Sequence, residues 1–501
     1  MRPAHRLLQT ALAIAGTLGL WAAPLFAQSP GLELVHAVRD GRTGGLAPLL
    51  SSHDVDTPQP DGATALHWAA YRDDLDTARL LLDHGATAGA TNDLGVTPLH
   101  LACENASAQM VRALLDAGAS ANAAVETGEP ALMSCARTGE VEAVRALLDA
   151  GADVNATEPS ELQTALMWAT AHRHADVVDL LLEHGADVNA RSRSQRQVIS
   201  RRLQSELKYG ELGRNYGTDA EETQIGGFTP MLFAARQGDV DSGRLLAAAG
   251  ADVNDTAPDG ASALVVATHS GHRDMVRWLL DAGASPHGSA AGYTALHAAV
   301  LSGDLPMVEA LLSADARPNA QVTRATKVTR NGQVLMLGEH LLGATPLALA
   351  AKFTEVEIMR ALAEAGADIQ LPLQRGWTPL MLASGASWRY AVWDRRDRAL
   401  AKAPAFQAQM YDEAGTRAAV ELALDLGADV MAVDGDGNTA LHHVVDKGFD
   451  RVVELLISRG ADAHAANARG QTPLDIVSRG RTGNREAAPA TAELLRSLAP
   501  R

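Results

Sequence analysis

Aromatic residues are scarce in this sequence of 501 residues, since Phe, Trp and Tyr together make up only 4% of it. The core must therefore be built mainly from Leu, Ala and Val, which favours helices packed closely through small residues. A hydrophobic fraction of 47% with 21% charged residues indicates a folded chain and excludes a disordered one.

An excess of basic residues is also missing. The formal net charge is -17, which excludes nucleic acid as a ligand of the main body, because phosphate binding needs a basic face. No HExxH, GxSxG, P-loop or paired CxxC motif is present. We therefore expect no enzyme activity, no cofactor and no metal site.

Cysteine is nearly absent, with Cys103 and Cys135 as the two copies. Two cysteines in a chain of this length are too few for a disulfide framework. Both occupy positions that hold Ala or another small residue in related segments, which predicts two small buried side chains with free thiols.

The first 27 residues differ from the rest. Arg2 and Arg6 precede an apolar run from Leu7 to Trp21, and small residues follow near Ala27. This order is typical of a secretory signal peptide, and the run is short for a membrane span. We expect a periplasmic or secreted protein cleaved near Ala27, with an uncleaved membrane anchor as the alternative.

A repeat of about 33 residues dominates the remainder. The slot of Thr64, which we call the marker, recurs as Thr97, Pro130, Thr164, Thr229, Ser262, Thr294, Thr345, Thr378, Thr439 and Thr472. Glycine often lies two residues before the marker, where a tight turn can need positive φ, and the marker hydroxyl can cap a helix. Apolar runs such as "VRALLDAGA" (Val111 to Ala119) predict a second helix that ends at a glycine.

The segments "TPLHLAC" (Thr97 to Cys103) and "LLEHGADVNA" (Leu181 to Ala190) resemble the ankyrin repeat. The resemblance implies an all-α solenoid of helix-turn-helix units with finger turns, about 12 repeats including caps. The resulting division of the chain is: signal peptide 1–27; degenerate capping repeat 28–58; ankyrin repeats 59–190; basic finger insertion 191–225; repeats 226–320; basic finger insertion 321–342; repeats 343–384; aromatic-rich insertion between helices 385–415; repeats and C-terminal cap 416–501.

Histidine lies three residues after the marker in four units, as His67, His100, His297 and His442. The resemblance implies a structural role for it, a hydrogen bond to the backbone between repeats. Four copies spread along a solenoid cannot converge on one ligand. The "GDG" at 435–437, with Asp434 beside it, favours a surface turn over a Ca²⁺ loop.

The two finger insertions are basic, and they carry Arg201 and Arg202 in the first and Arg324, Lys327 and Arg330 in the second. They either steer an acidic partner or form solvated hairpins. The third insertion contains five aromatics, Trp388 and Trp393 among them, and forms either a contact surface or a small local core.

In the resemblance, the residue before the marker and those seven and eight after it face the concave groove. These slots hold Tyr71, Phe228, Arg236, Tyr293 and Trp377, which we predict to be exposed contacts for a partner. Four residues after the marker lie Trp68, Trp168 and Phe233, which we predict to pack in the core.

The sequence thus predicts a monomeric protein-binding scaffold in the cell envelope whose partner it cannot name. Two rivals stay open. One is an enzyme with a site built from the insertions, and the other is an envelope structural protein that binds anionic cell-wall or lipid groups through the basic edge.

Overall fold

The computed structural model describes residues 32–42, 44–200, 220–330, 333–386, 412–479 and 488–497. The chain forms two compact units, one through Asp187 and one from Val188. Both are built from pairs of short helices, and the pairs confirm the all-α fold class. No helix within these ranges combines the length and apolar character needed to cross a bilayer. The predicted signal peptide lies outside the described residues.

The first unit stacks five helix pairs. They are α1 Glu33–Arg39 with α2 Ala47–Ser52, α3 Ala65–Tyr71 with α4 Leu75–Asp83, α5 Pro98–Glu104 with α6 Ala108–Asp116, α7 Ala131–Thr138 with α8 Val141–Asp149, and α9 Ala165–His172 with α10 Ala175–Glu183. The first helix of each pair, the inner helix, packs on the inner helices of its neighbours.

The second unit continues with two β-hairpins and seven helix pairs among its described residues. The helices are α11 Pro230–Gln237, α12 Val240–Ala248, α13 Ala263–Ser270, α14 Arg273–Asp281, α15 Ala295–Leu301, α16 Leu305–Ser313, α17 Pro346–Lys352, α18 Val356–Glu364, α19 Pro379–Ala383, α20 Glu413–Asp425, α21 Ala440–Val444, α22 Asp450–Ser458, α23 Pro473–Arg479 and α24 Pro489–Ser497. Short 3₁₀ turns occupy Glu339–Leu341 and Val445–Lys447.

The marker residue starts the inner helix as predicted. The hydroxyl of Thr345 accepts the backbone N–H of Ala348 at 3.1 Å, and Thr164 and Thr378 accept in the same way at 3.3 Å. This bond satisfies one of the N–H groups that have no partner inside the helix. Proline follows directly in α5, α11, α17 and α19, where its missing N–H costs nothing.

The turn glycine permits close contact between successive repeats. Gly95 has φ +71°, and a Cβ at this position would lie 2.6 Å from the backbone nitrogen of Glu126. The same Glu126 N–H donates to the carbonyl of Leu94 at 2.9 Å. A side chain here would therefore push two finger turns apart and break their shared hydrogen bond.

The core consists mainly of aliphatic side chains, as the scarcity of aromatics predicts. Leu66, Leu99, Leu132 and Leu166 share one slot of four successive inner helices, and each is almost completely buried. Burial of each such side chain stabilises the fold by about 1.5–3 kcal/mol. Each repeat covers an apolar face of its neighbour, so no repeat is stable alone.

Two antiparallel hairpins add β-structure to the second unit. Strand β1 (Ser194–Ser200) pairs with β2 (Ala220–Gly226), and β3 (Thr326–Arg330) pairs with β4 (Gln333–Leu337). The register runs from Ser194 opposite Gly226 to Ser200 opposite Ala220 in the first hairpin. Both hairpins lie between successive helix pairs, where the chain crosses from one repeat to the next.

The prediction of two free thiols is wrong, because Cys103 and Cys135 form a disulfide. Cys103 lies in α5 and Cys135 in α7, and their Cα atoms are 4.5 Å apart. Each cysteine fills a small-residue slot within its own repeat, which is why the sequence predicts buried thiols. When the repeats stack, similar slots of adjacent inner helices face each other, and the two sulfur atoms meet.

Candidate functional site

The repeated histidine connects adjacent repeats. Nδ1 of His67 accepts the backbone N–H of Thr64 at 3.1 Å, so the ring proton lies on Nε2 and is donated to the carbonyl of Val96 at 3.0 Å. His297 donates in the same way to Ala344, and His442 to Gln471. The hydrogen bond between repeats is confirmed for His67, His297 and His442, whereas Nε2 of His100 is buried with no hydrogen-bond partner among the described residues.

Burial keeps these rings neutral. Desolvation lowers the pKa of His100 and His297 to about 4, and it lowers the pKa of His67 and His442 as well. In His67, His297 and His442 both ring nitrogens are engaged in structural hydrogen bonds, so neither is available to a metal or a substrate.

The inner helices of the first unit present a connected polar and aromatic surface. Tyr71 is 47% exposed at the end of α3 and lies edge-on to Trp68, with ring centroids 5.7 Å apart. The side chain of Asn105, which follows α5, donates to the carbonyl of Tyr71 at 2.9 Å. Tyr71 is thus an exposed ring on a backbone held by the next repeat.

The surface continues onto the next two repeats. Arg137 of α7 forms an ion pair with Glu104 of α5, and its guanidinium lies 5.9 Å from the ring centroid of Trp168 in α9. His172, at the end of α9, is exposed. We call Tyr71, Glu104, Arg137, Trp168 and His172 the inner-helix surface.

A second aromatic and cationic cluster lies in α11 and the turn before it. The Phe228 and Phe233 rings meet edge to face at 5.8 Å. The guanidinium of Arg236 covers both rings, at 5.4 Å from Phe228 and 4.8 Å from Phe233. Phe228 and Arg236 are both half-buried, so they contact solvent less than the sequence predicts.

Tyr293 is not an exposed contact residue, contrary to the prediction. It is 1% exposed, and its hydroxyl lies 2.8 Å from Nε2 of His269 in the preceding inner helix. The ring lies edge-on to the His269 ring of α13, with centroids 5.4 Å apart. This aromatic side chain is part of the core.

Trp377 is also buried, at 8% exposure, so the prediction that it is an exposed contact residue is wrong. Its indole N–H donates to Asp434 of the next finger turn at 3.2 Å, and His443 contacts the same carboxylate at 2.9 Å. Burial raises the pKa of Asp434, but hydrogen bonds from His443 and from the backbone N–H of Asn438 outweigh it and bring that pKa to about 2. The "GDG" segment is therefore a turn organised by an internal carboxylate.

The three residues predicted to pack in the core differ from one another. Trp68 and Phe233 are buried, and the indole N–H of Trp68 donates to Gln59 at 3.2 Å. Trp168 is half-buried and carries Arg137 on its ring. It therefore belongs to the inner-helix surface as well as to the packing.

Two arginines at the bases of the basic fingers serve the fold. Arg191 donates to the carbonyls of Gly227 and Thr256, both at 3.1 Å, and pairs with Asp255. Arg324 donates to the carbonyls of Asp259 at 2.9 Å and Ala290 at 3.0 Å. Both side chains are therefore held by the turns beneath the fingers, and Asp255 neutralises the charge of Arg191. Four predicted contact residues, Arg201, Arg202, Trp388 and Trp393, lie outside the described residues.

A group of amides between repeats was not predicted from the sequence. In several repeats an Asn or Gln that follows the end of the second helix bonds to the next repeat through both its oxygen and its nitrogen. Asn155, for example, accepts from the backbone of Asp187 at 2.8 Å and donates to the carbonyl of Gly185 at 3.1 Å. The recurrence of "VNA" in the repeat tails was the available signal.

The inner-helix surface offers aromatic, charged and hydrogen-bonding side chains. Across the ranges that the structure describes, no group of three or more His, Cys, Asp or Glu residues is arranged to hold a metal ion. What the arrangement offers is an exposed tyrosine, an arginine over an indole ring and an exposed histidine on rigid helices.

Comparison with known proteins agrees with this architecture. The family model described as "Ankyrin repeats (3 copies)" matches residues 34–125, 120–192, 212–289 and 231–322, more than half of the chain. A second, "Ankyrin repeats (many copies)", matches residues 422–477. A comparison with curated proteins finds no match.

Among solved structures, the crystal structure of the human ASB11 ankyrin repeat domain is similar, with 26% sequence identity and a TM-score of 0.40. The alignment covers 51% of this chain and 99% of that one. The family assignment rests on the family models and the repeated helix pairs. This chain belongs to the ankyrin repeat family.

Proposed function

We propose that this protein is an exported, non-catalytic scaffold that binds a partner protein through the inner-helix surface of its first unit. Ankyrin repeats generally mediate protein–protein interaction, and this chain has the same repeats. The observation that carries the finer proposal is the exposed ring of Tyr71, with the Glu104–Arg137 ion pair and the guanidinium over Trp168 on the inner helices of the following repeats.

The chemistry of this surface favours a protein ligand. Tyr, Trp and Arg are the residues enriched at binding hot spots, because they bury much area with few rotatable bonds. Here their backbones are held by hydrogen bonds between repeats, such as that from Asn105 to Tyr71. A surface ordered before binding loses little conformational entropy when the partner docks.

Phe228 and Arg236 of the second unit are proposed as further contacts, since their packed rings and guanidinium remain half-exposed. The basic residues Arg201 and Arg202 and the aromatic residues Trp388 and Trp393 remain proposed contacts on the strength of the sequence. The net charge of -17 supports a scaffold that binds no nucleic acid, and we expect a monomer.

Export is proposed from two independent features. The basic start and short apolar run before Ala27 have the order of a signal peptide. The disulfide between Cys103 and Cys135 supports an oxidising compartment, because cytosolic thiols are kept reduced. A periplasmic or secreted location explains both.

The test is capture of the partner by the full chain from a cell-envelope fraction, followed by mass spectrometry. We compare the wild type with a variant carrying Tyr71→Ala, Arg137→Ala and His172→Ala. The variant should lose at least tenfold in affinity for the captured protein, because truncation of a few central contacts removes most of the binding energy.

The matched control carries Asp76→Ala, Arg79→Ala and Glu183→Ala, three exposed residues of the second helices α4 and α10. It should bind like the wild type, and all three proteins should melt within a few degrees of one another. Equal capture by both variants, with unchanged melting, would exclude the inner-helix surface as the contact site.

A further inference from the structure

The amides between repeats form a regular series in both units. In each case the side-chain oxygen of one repeat accepts a backbone N–H of the next, two residues after its C-terminal glycine. Asn122 accepts from Asp153 at 2.7 Å, and Asn254 accepts from Ser285 at 2.7 Å. We call this position the joint residue. The other amide joint residues are Asn155, Asn319 and Gln370.

Gln370 shows that a side chain longer than Asn can form the same two hydrogen bonds. Its Oε1 accepts the backbone N–H of Asp429 at 3.4 Å, and its amide nitrogen donates to the carbonyl of Gly427. The acceptor oxygen of Gln is one bond farther from the backbone than that of Asn, and the joint still closes.

The next joint residue after Gln370 is Met431. Its sulfur atom takes the place of the amide oxygen, and it lies 3.4 Å from the backbone nitrogen of Asp462. A thioether is a weak hydrogen-bond acceptor, so the sulfur of Met431 is a poorer acceptor than the amide oxygens of the other joints. It also has no side-chain donor comparable to the amide nitrogen of Gln370.

Met431 also differs from the other methionines in exposure. It is 41% exposed, whereas the eight other methionines whose side chains the structure describes are each 1% exposed or less. Oxidation of a thioether needs contact between the sulfur and the oxidant, so exposure controls which methionine reacts.

We propose that Met431 is a site of reversible oxidation by peroxide, and that its sulfoxide replaces the weak sulfur acceptor of this joint with an oxygen. The sulfur lone pair attacks one oxygen of hydrogen peroxide, the O–O bond breaks, and the second oxygen leaves as water. The thioether is oxidised by two electrons and the peroxide is reduced by two. The product returns to the thioether by the thiol-dependent reduction that methionine sulfoxide reductases catalyse.

The length of the side chain gives the reason why the product fits. A sulfoxide oxygen on Met431 is as many bonds from the backbone as Oε1 of Gln370, the acceptor in the preceding joint. It can therefore accept the N–H of Asp462, and the methyl group occupies the place of the amide nitrogen. Oxidation of a buried methionine has the opposite effect, because it places a polar oxygen in the apolar core.

The experiment compares the full-length wild type with Met431→Leu and Met431→Gln. Each is treated with a limited dose of hydrogen peroxide, the oxidised sites are mapped by peptide mass spectrometry, and thermal unfolding is recorded before and after treatment. Met431 should gain an oxygen at least tenfold faster than any of the eight buried methionines. The melting midpoint of the oxidised wild type should rise by about 1–2 °C and approach that of Met431→Gln.

Met431→Leu is the matched control, because it has the same bulk but neither an oxidisable sulfur nor an acceptor. Met336 and Met410, whose side chains are outside the described set, are present in all three proteins, so the Leu variant corrects for their oxidation. Preferential oxidation of a buried methionine would overturn the proposal. So would a corrected midpoint that falls on oxidation, since the sulfoxide would then be disrupting the joint.

Discussion

Several histidine and aspartate side chains in this chain resemble catalytic groups, but their contacts are structural. His67 and His297 each use Nδ1 to cap their own helix and Nε2 to reach the next repeat. Asp434 accepts hydrogen bonds from Trp377 and His443 in a buried turn. The lowered pKa of His67 and His297 reports burial, and that of Asp434 reports its hydrogen bonds, so each shift has a structural cause rather than a catalytic one.

Asp434→Asn should weaken the fold and reduce its sensitivity to acid. The folded pKa of about 2 lies below the unfolded value of about 3.9, so the carboxylate stabilises the protein above pH 4 and loses this effect as the pH falls towards 2. We expect a loss of about 2 kcal/mol at pH 7, measured by urea unfolding. Between pH 4 and pH 2.5, stability should fall less steeply in the variant than in the wild type.

Asp436→Asn is the control, because it removes the same charge from an exposed position in the same turn. Its stability should stay within about 0.5 kcal/mol of the wild type. If the two variants behave alike, the carboxylate of Asp434 does not organise the turn.

The disulfide connects the elements α5 and α7, which belong to consecutive repeats and already contact each other through buried side chains. It closes a segment of 32 residues, one repeat length. Since each repeat is stabilised chiefly by its neighbours, a covalent link between two inner helices strengthens the interface on which the inner-helix surface depends.

Cys135→Ser should destabilise the first unit by about 3–4 kcal/mol, the loop-closure entropy expected for a segment of this length. Guanidinium unfolding without reductant measures the difference. The wild type treated with dithiothreitol should behave like the variant, while a Cys103→Ser, Cys135→Ser double variant should not respond to dithiothreitol. A wild type that is unaffected by the reductant would contradict a stabilising disulfide.

Similar helix pairs recur along the described parts of the chain. This repetition makes the fold predictable from the sequence, but it does not make the partner surface predictable. Turn glycines, capping hydroxyls and the apolar face of each helix recur at one period, so each unit supports the assignment of the others. A partner surface has no such recurrence, because each repeat contributes different side chains to it.

Export should be visible in the mature protein as a new N-terminus at Gln28, together with the absence of free thiols under denaturing, non-reducing conditions. N-terminal sequencing and thiol titration of protein from the envelope fraction measure both. Ile14→Asp interrupts the apolar run and should leave the full-length precursor in the cytosol. Recovery of the wild type as an uncleaved, cytosolic protein with two free thiols would contradict export.

The candidate site was predictable only in part. Tyr71 is exposed at the end of α3, as its spacing from the marker predicts, with the Trp68 ring edge-on beside it. Tyr293, directly before its marker, was also predicted to face the groove, but it packs against His269. Spacing identifies the face of a helix, and packing against the neighbouring repeat decides whether that face is open.

Local chemistry was sufficient for the helix pairs and their starts, because caps, turn glycines and apolar spacing act within a single repeat. The all-α solenoid and the role of the repeated histidine followed from the resemblance to the ankyrin repeat. The disulfide, the burial of Trp377 and the amide joints depend on contacts between repeats, which the sequence of any one repeat does not contain. Those contacts join residues about 30 to 60 positions apart. They form only when the helix pairs stack, and for this reason the tertiary structure was needed to find them.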